Sequence, residues 1–388
     1  MPPIQVRPVS TARERRILLE FPWRIYRDDP VWVPPLLPER EKRIDPARSP
    51  FFQRGTADFF IAWRGDEPVG TICAAEDRKR NAFLGIRDAI FGFFECINDY
   101  EVAAALFEAA AGWARDRGLN GLLGPFNLDY EDSYGILLEG FDKPQVILCG
   151  HTPPYYQELV ERYGFVRGRS GDNIAFESRL DMPEDDPRLR KMDRAAAIVA
   201  KRGRVTTRPA RWDDWDQEID HAVRILNKGL AVLPDHSPWE RAAFAAHAEA
   251  LRPILDPDLL ILGMVDGEPV GMVLALPNLN EAIQKANGLR RPWDYIRLWW
   301  HSRQRPACLS FKSVAVDPAY WRYGVFAALL HALVQNARAK GYQWMDMSLT
   351  SDDNPMTPRL AEHLEAKIYR RYRVYRYEIR YSNFENRI

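Results

Sequence analysis

The chain has 388 residues with 54 basic and 54 acidic side chains, so its formal net charge is zero. That balance argues against an electrostatic nucleic-acid binder, which needs a basic surplus. At 46% hydrophobic and 28% charged, the chain is not broadly disordered, and its length favours two or three domains of about 150 residues over one.

The opening Met1-Pro2-Pro3-Ile4-Gln5-Val6-Arg7 lacks the apolar run of a secretory signal. Cys73, Cys96, Cys149 and Cys308 form no C-x-x-C pair, which predicts neither a disulfide framework nor a zinc site. A soluble, reduced, cytoplasmic protein is expected. Residues 12–26 read as a helix. Residues 59–63 and 71–73 are strand-like and flank Gly65-Asp66-Glu67-Pro68-Val69-Gly70, a β-hairpin. Apolar residues at helical spacing (Leu106, Ala110, Trp113) predict a helix that Gly118 ends. A short strand at 122–126, a helix at 155–163 and a strand at 173–177 follow. Residues 181–187 are acidic and turn-rich, and 188–204 are basic and amphipathic, a segment that can be a linker helix. Helices are expected at 212–227 and 239–255.

From there the chain repeats itself. Asp266-Gly267-Glu268-Pro269-Val270-Gly271 restates the first hairpin turn 201 residues later, between apolar runs 259–265 and 272–274. Ala327-Ala328-Leu329 restates Ala104-Ala105-Leu106 at an offset of 223, and Gly341 restates Gly118. The second copy therefore holds 22 more residues between hairpin and helix. A strand at 344–349, a helix at 357–368 and a strand at 373–380 complete it. The order predicts an α/β fold: an N-terminal domain over 1–180, a linker over 181–204 and a C-terminal domain over 205–388, each a mixed, partly parallel twisted sheet flanked by helices.

Hairpin, strand ending in Val-x-Pro, glycine turn and amphipathic helix resemble the GNAT (Gcn5-related N-acetyltransferase) superfamily. The run Val314-Ala315-Val316-Asp317-Pro318-Ala319-Tyr320-Trp321-Arg322-Tyr323-Gly324-Val325-Phe326-Ala327 carries the likeness. The whole chain looks like a tandem-GNAT bacterial protein. Leu276-Pro277-Asn278-Leu279-Asn280, Asp352-Asp353-Asn354-Pro355-Met356 and Gly124-Pro125-Phe126-Asn127 fit that family as well. The resemblance implies acyl-coenzyme A, acetyl or longer, as co-substrate and no metal. It places the coenzyme on Val314, Val316, Arg322, Tyr323, Gly324, Val325 and Ala327. A turn at a helix N-terminus holds a pyrophosphate because free N–H donors and the helix dipole converge there. The family pattern is Gln/Arg-x-x-Gly-x-Gly/Ala. Here Trp321 stands in its first place and Phe326 in its last, so an ordinary helix entry stays open as the alternative. The first copy has Ile97-Asn98-Asp99-Tyr100-Glu101-Val102 at that place, without glycine and with two acids that repel phosphate. It reads as a degenerate half.

Amide formation from a thioester needs a proton acceptor for the amine and donors for the oxyanion. Val314 to Val316 are expected to supply the oxyanion donor. Asp346 and Ser348 share one strand face, and Asn354 follows. These three are the expected catalytic cluster, with a solvated strand end as the alternative. Tyr369 and Tyr372 are candidate acids, with core or interface packing as the favoured alternative. Asn127, Tyr156, Asn227 and Asn280 are candidate substrate contacts, with capping or turn roles as the alternative for Asn227 and Asn280. The acidic loop of Asp129, Glu131 and Asp132 is a candidate amine holder or simply solvated.

Residues 290–305 join Trp293, Tyr295, Ile296, Leu298, Trp299 and Trp300 to five arginines. They suit a peripheral membrane contact or an acyl-chain lid, or else a helix packed at the domain interface. Residues 369–380 interleave tyrosine and arginine, a pattern that can stack nucleotides; at zero net charge an edge strand near the coenzyme adenosine, or simply facing solvent, is expected instead. The expected activity is N-acyl transfer to a small-molecule or lipid-like amine, by a monomer or homodimer that binds no nucleic acid, with the chemistry in the C-terminal domain. The alternatives are a long-chain, ceramide-synthase-like transfer and a non-catalytic ligand-binding relative.

Overall fold

A computed structural model describes residues 2–128, 134–232, 238–354 and 365–380. The chain divides into two compact units, neither of them a continuous segment. Unit 1 takes residues up to Asn173, then Asn280–Arg303, then everything from Arg370; unit 2 takes Ile174–Leu279 and Gln304–Tyr369.

The first stretch of unit 1 holds β1 (Ile4–Pro8), α1 (Ala12–Glu20), α2 (Pro22–Ile25), α3 (Leu37–Ile44), β2 (Gly55–Arg64), β3 (Glu67–Asp77), α4 (Arg78–Leu84) and β4 (Asp88–Cys96). It continues through α5 (Tyr100–Arg115), β5 (Gly121–Gly124), β6 (Ile136–Glu139), α6 (Tyr156–Tyr163) and β7 (Val166–Arg167). The predicted helix over 12–26 is broken at Pro22, whose ring suits a first helical position and not an interior one. Unit 2 begins with β8 (Asn173–Arg179), α7 (Pro187–Lys201), β9 (Val205–Pro209), α8 (Trp215–Leu230), α9 (Arg241–Leu251), β10 (Leu260–Val265) and β11 (Glu268–Pro277). Helices α10 (Asn280–Lys285) and α11 (Pro292–Ser302) belong to unit 1. Then come β12 (Cys308–Val316), α12 (Val325–Ala339), β13 (Trp344–Ser351), β14 (Lys367–Arg373) and β15 (Tyr375–Glu378). The predicted helix over 357–368 lies mostly outside the described residues, and its last residues, Lys367 and Ile368, are strand.

The repeat is present in three dimensions. Hairpins β2–β3 and β10–β11 each carry a register irregularity, at Ala62/Trp63 and at Gly263/Met264, again 201 apart. Pro68 and Pro269 sit opposite these kinks, where a missing N–H costs the ladder little. A side chain on Gly70 would meet Leu106 at 2.7 Å and Val102 at 3.2 Å; on Gly271 it would meet Val325 at 2.8 Å and Leu329 at 3.2 Å. These partners match at the helix offset of 223. Helices α5 and α12 therefore pack on glycine-thinned hairpins in the same way. Both helices end in a Schellman motif, Leu119 N–H to Ala114 O and Tyr342 N–H to Ala337 O, with Gly118 and Gly341 at positive φ.

Unit 1 has the sheet order β1-β2-β3-β4-β5-β15-β7, with β4–β5 parallel. In unit 2 the order runs β8-β13-β12-β11-β10-β9, with β12–β13 parallel. The place beside the parallel strand is thus filled in unit 1 by the last strand of the described residues, and in unit 2 by a strand from the first half of the chain. The expectation of an edge strand over 369–380 is corrected here. Strand β15 pairs on both sides, with β5 and β7, and Arg371–Arg373 of β14 pair with β6 in unit 1. Tyr372, Tyr375 and Arg370 are buried. Their spacing follows strand alternation across two covered faces, not a surface stacking ladder.

Candidate active site

In unit 2, β12 pairs with β13 from Cys308↔Trp344 to Phe311↔Met347 and no further, while it stays paired to β11 as far as Val316. The strands part at Lys312. The cause is local: Ser313 faces Leu274 and Phe311 faces Ala275, so Lys312 is the extra residue of a β-bulge. Bulges bend a strand and re-aim a side chain. Residues 312–316 thereby keep a backbone edge that β13 does not take up.

The side chains at this fork form one network. Register sets Ser310 beside Asp346, and the Ser310 hydroxyl donates to Asp346 Oδ2 at 2.7 Å. Ser348 donates to the same oxygen at 2.6 Å, and Tyr369 donates to Oδ1 at 2.7 Å. Lys312 Nζ donates to Ser348 Oγ at 2.9 Å and lies 3.7 Å from Asp346. Asp346 and Ser310 are fully buried, and Tyr369 is half-buried. The group stands on the sheet face opposite Leu309, Phe311, Met345 and Met347, which pack toward α12.

Of the three predicted catalytic residues, Asp346 and Ser348 come together. Asn354 does not join them; its amide donates to Thr350 at 3.4 Å within the strand-end turn. Ser310 and Lys312 were missed. Nothing in a lone Ser or Lys on a strand marks it, but a parallel register prediction pairing Ser310 with Asp346 would have found the first. Tyr369, a candidate acid, reaches the carboxyl directly. Tyr372 does not: its hydroxyl donates to Gly150 O and accepts from Arg370 in unit 1.

At the glycine turn, Gly324 takes a φ of 85° and α12 starts with no side-chain cap. Its first N–H groups are the kind of donors that bind anions. Arg322 is exposed beside them. Trp321 Nε1 donates to Val316 O at 3.0 Å, and the Arg204 guanidinium lies over Tyr323 at 5.0 Å. Val325 and Val316 are buried, and Val314 and Ala327 are half-buried. A side chain on Gly324 would meet Val199 of α7 at 2.5 Å. Glycine is therefore required there by backbone and packing, whatever binds.

Unit 1 differs at the corresponding place. Gly70 faces Cys96 as Gly271 faces Val316, so β4 and β12 correspond at an offset of 220. Ile90↔Leu123 then occupies the place of Ser310↔Asp346, and Gly92 that of Lys312. An apolar pair stands where unit 2 keeps its network. At the helix entry, Asp99 accepts from Glu101 N–H and pairs with Arg64 at 2.6 Å. The Arg64 hydrogen bond holds the Asp99 carboxyl below its ordinary range, so the α5 N-terminus is already served by an anion.

The remaining candidates are engaged with protein groups. Asn127 accepts from Phe93 N–H at 2.7 Å. Asn227 bonds both the N–H and the carbonyl of Trp239, at 2.8 and 2.9 Å. Asn280 donates to Gln145 O at 3.0 Å. Tyr156 is fully buried; its hydroxyl donates to Glu95 and accepts from Cys96 N–H, both at 2.8 Å. Desolvation pushes the Glu95 carboxyl up to about 7. The acidic loop of Asp129, Glu131 and Asp132 lies outside the described residues.

Residues 221–364 match the acetyltransferase (GNAT) family model. The chain is 29% identical over 379 residues to the bacterial ceramide synthase of Caulobacter vibrioides, covering 96% of this chain and 97% of that protein. It is also 29% identical over 379 residues to protein YghO of Escherichia coli, covering 96% and 95%. In three dimensions it resembles a tandem GNAT protein from the clavulanic acid biosynthesis pathway, with a TM-score of 0.58 at 12% identity over 98% of this chain and 100% of that one. A GCN5-related N-acetyltransferase from Sphaerobacter thermophilus gives 0.51 at 13% identity over 98% of each chain. At such identities the solved structures speak for the fold alone. With the repeated hairpins and the forked parallel strands, the chain has the fold of tandem GNAT proteins, and residues 221–364 carry the match to the GNAT acetyltransferase family.

Proposed function

We propose that unit 2 moves an acyl group from acyl-coenzyme A to an amine acceptor. The observation that carries this reading is the Lys312, Ser348, Asp346 and Tyr369 network at the fork between β12 and β13. In the reaction the amine nitrogen attacks the thioester carbonyl, the C–S bond breaks, and one proton passes in net from nitrogen to sulfur. Ser348 and Tyr369 are the hydroxyls placed to carry that proton. Asp346 is a positioning residue, since it is fully buried with both carboxyl oxygens engaged. Backbone N–H groups of residues 312–316, left by β13, serve the oxyanion. The uncapped start of α12, with Arg322, serves the pyrophosphate. A lipid-like amine and a long acyl chain are favoured because a relative of nearly equal length is named a bacterial ceramide synthase.

The test is thermal stabilisation by acetyl-, palmitoyl- and free coenzyme A. A shift with the long-chain species above all supports the lipid branch, and Arg322→Glu should shrink it. Arg322 is the better probe, because a side chain at Gly324 collides with Val199 and would report on folding. No shift with any of the three would sink the coenzyme reading. That result would favour a non-catalytic binding protein, the reading to which the Val199 contact on the glycine turn already lends weight.

A further inference from the structure

Helix α11 is amphipathic in the wrong sense for a water-facing helix. Its inward line is Asp294, Leu298 and His301, spaced i, i+4, i+7; Asp294 is fully buried and the other two are half-buried. The outward arc carries Trp293, Tyr295, Ile296, Trp299 and Trp300, each 48–67% exposed. Of twelve exposed large hydrophobic residues in the described chain, five sit on this one helix of eleven residues. Scattered exposed apolar residues are ordinary, but a contiguous set marks a partner.

The charge around this face has one sign. Residues 290–305 hold five arginines. Their single carboxylate, Asp294, is turned inward, where it accepts from Arg291 N–H at 3.0 Å and pairs with Arg297 at 3.5 Å. Arg303 stacks on Trp299 at 3.7 Å and Arg291 on Trp293 at 5.3 Å, so guanidinium and indole form composite surfaces. The platform beneath is rigid. Arg290 bonds Glu20 at 3.2 Å and Trp23 bonds Asn287 at 2.8 Å. Gly288, at a φ of 70°, lets Trp23 approach to 2.4 Å of where a Cβ would stand. The preceding helix adds Gln284 to Pro30 O at 2.9 Å. No described helix is long and apolar enough to cross a membrane.

We propose that α11 seats unit 1 on the surface of an anionic lipid bilayer, with the tryptophans at headgroup depth and the arginines on lipid phosphates. A protein partner or a second copy would bury the aromatics equally well. The excess of five arginines over one carboxylate within residues 290–305 is what selects an anionic surface. This inference stands on the helix alone and does not depend on acyl transfer.

The test is flotation of the full-length protein with phosphatidylcholine vesicles and with vesicles that also contain phosphatidylglycerol. Binding should be confined to the anionic vesicles and weaken in about 0.5 M salt, where screening is short-ranged. Trp299→Ser with Trp300→Ser should lower the partition coefficient at least about tenfold. Arg297→Glu with Arg303→Glu should remove the preference for phosphatidylglycerol. All four side chains are exposed, so unchanged circular dichroism and melting temperature certify the variants. Equal flotation of wild type and the tryptophan variant, or no flotation at all, would overturn the proposal. So would a wild-type dimer that the tryptophan substitutions turn into a monomer without any vesicle binding. A loss of acyl transfer with intact flotation would instead indict the proposed chemistry.

Discussion

Asp346→Ala tests the network at the fork most directly. The substitution removes the acceptor of three hydrogen bonds of 2.6–2.7 Å and the partner of Lys312 at 3.7 Å. Ser310 is left with a fully buried hydroxyl, and Lys312 keeps a nearly buried ammonium. Breaking a buried pair of this kind costs about 3–5 kcal/mol, most of it the penalty of orphaned polar groups. Ser310→Ile with Asp346→Leu copies the apolar pair that unit 1 carries at the same register, Ile90 and Leu123. It removes the Ser310 orphan and fills the space, so it should recover about 1–2 kcal/mol relative to Asp346→Ala. Acyl transfer should be lost in both. The measurement is urea denaturation followed by circular dichroism, beside transfer from whichever thioester stabilises the wild type. A destabilisation by Asp346→Ala below about 1 kcal/mol, or an active Ile/Leu variant, would refute the reasoning.

Tyr369→Phe removes one hydrogen bond to Asp346 and should cost only about 1–2 kcal/mol of stability. It should lower kcat by about a hundredfold with little change in KM, the size of one proton-transfer contribution; a parallel rise in KM alone would assign Tyr369 to binding. Glu95 predicts a pH effect in unit 1. The folded carboxyl keeps its proton up to about pH 7, while the unfolded one releases it near 4.5. Stability should therefore fall as pH rises between those values, by about 3 kcal/mol at most, and level off above. Urea midpoints at pH 5 and pH 8 measure it: Glu95→Gln should flatten the dependence, and a wild type more stable at pH 8 would contradict it. Gly70→Ala and Gly271→Ala should each destabilise by about 1–3 kcal/mol through overpacking against α5 and α12, and a neutral result at either site would mean the helix yields more than a packed core should.

Much of this architecture was legible along the chain because its cues are local. Each hairpin turn, each glycine-capped helix and the offsets of 201 and 223 rest on residues near one another in sequence, and backbone preference and apolar period act at that range. The likeness of Val314 to Ala327 to a coenzyme turn was of the same kind. Asp346 and Ser348 were found because strand alternation puts them on one face. What remained hidden depended on which strand meets which. Backbone donors and acceptors are the same in every strand, so alternation says which face is buried and not who the neighbour is. Tertiary packing alone decided that β15 completes the sheet of unit 1, that β8 serves unit 2, and that the inserted helices α10 and α11 belong with the first half of the chain. It also decided the site. A bulge at Lys312 and a parallel register turned four ordinary strand residues, Ser310, Lys312, Asp346 and Ser348, into one network, while the same register in the other half joins Ile90 to Leu123.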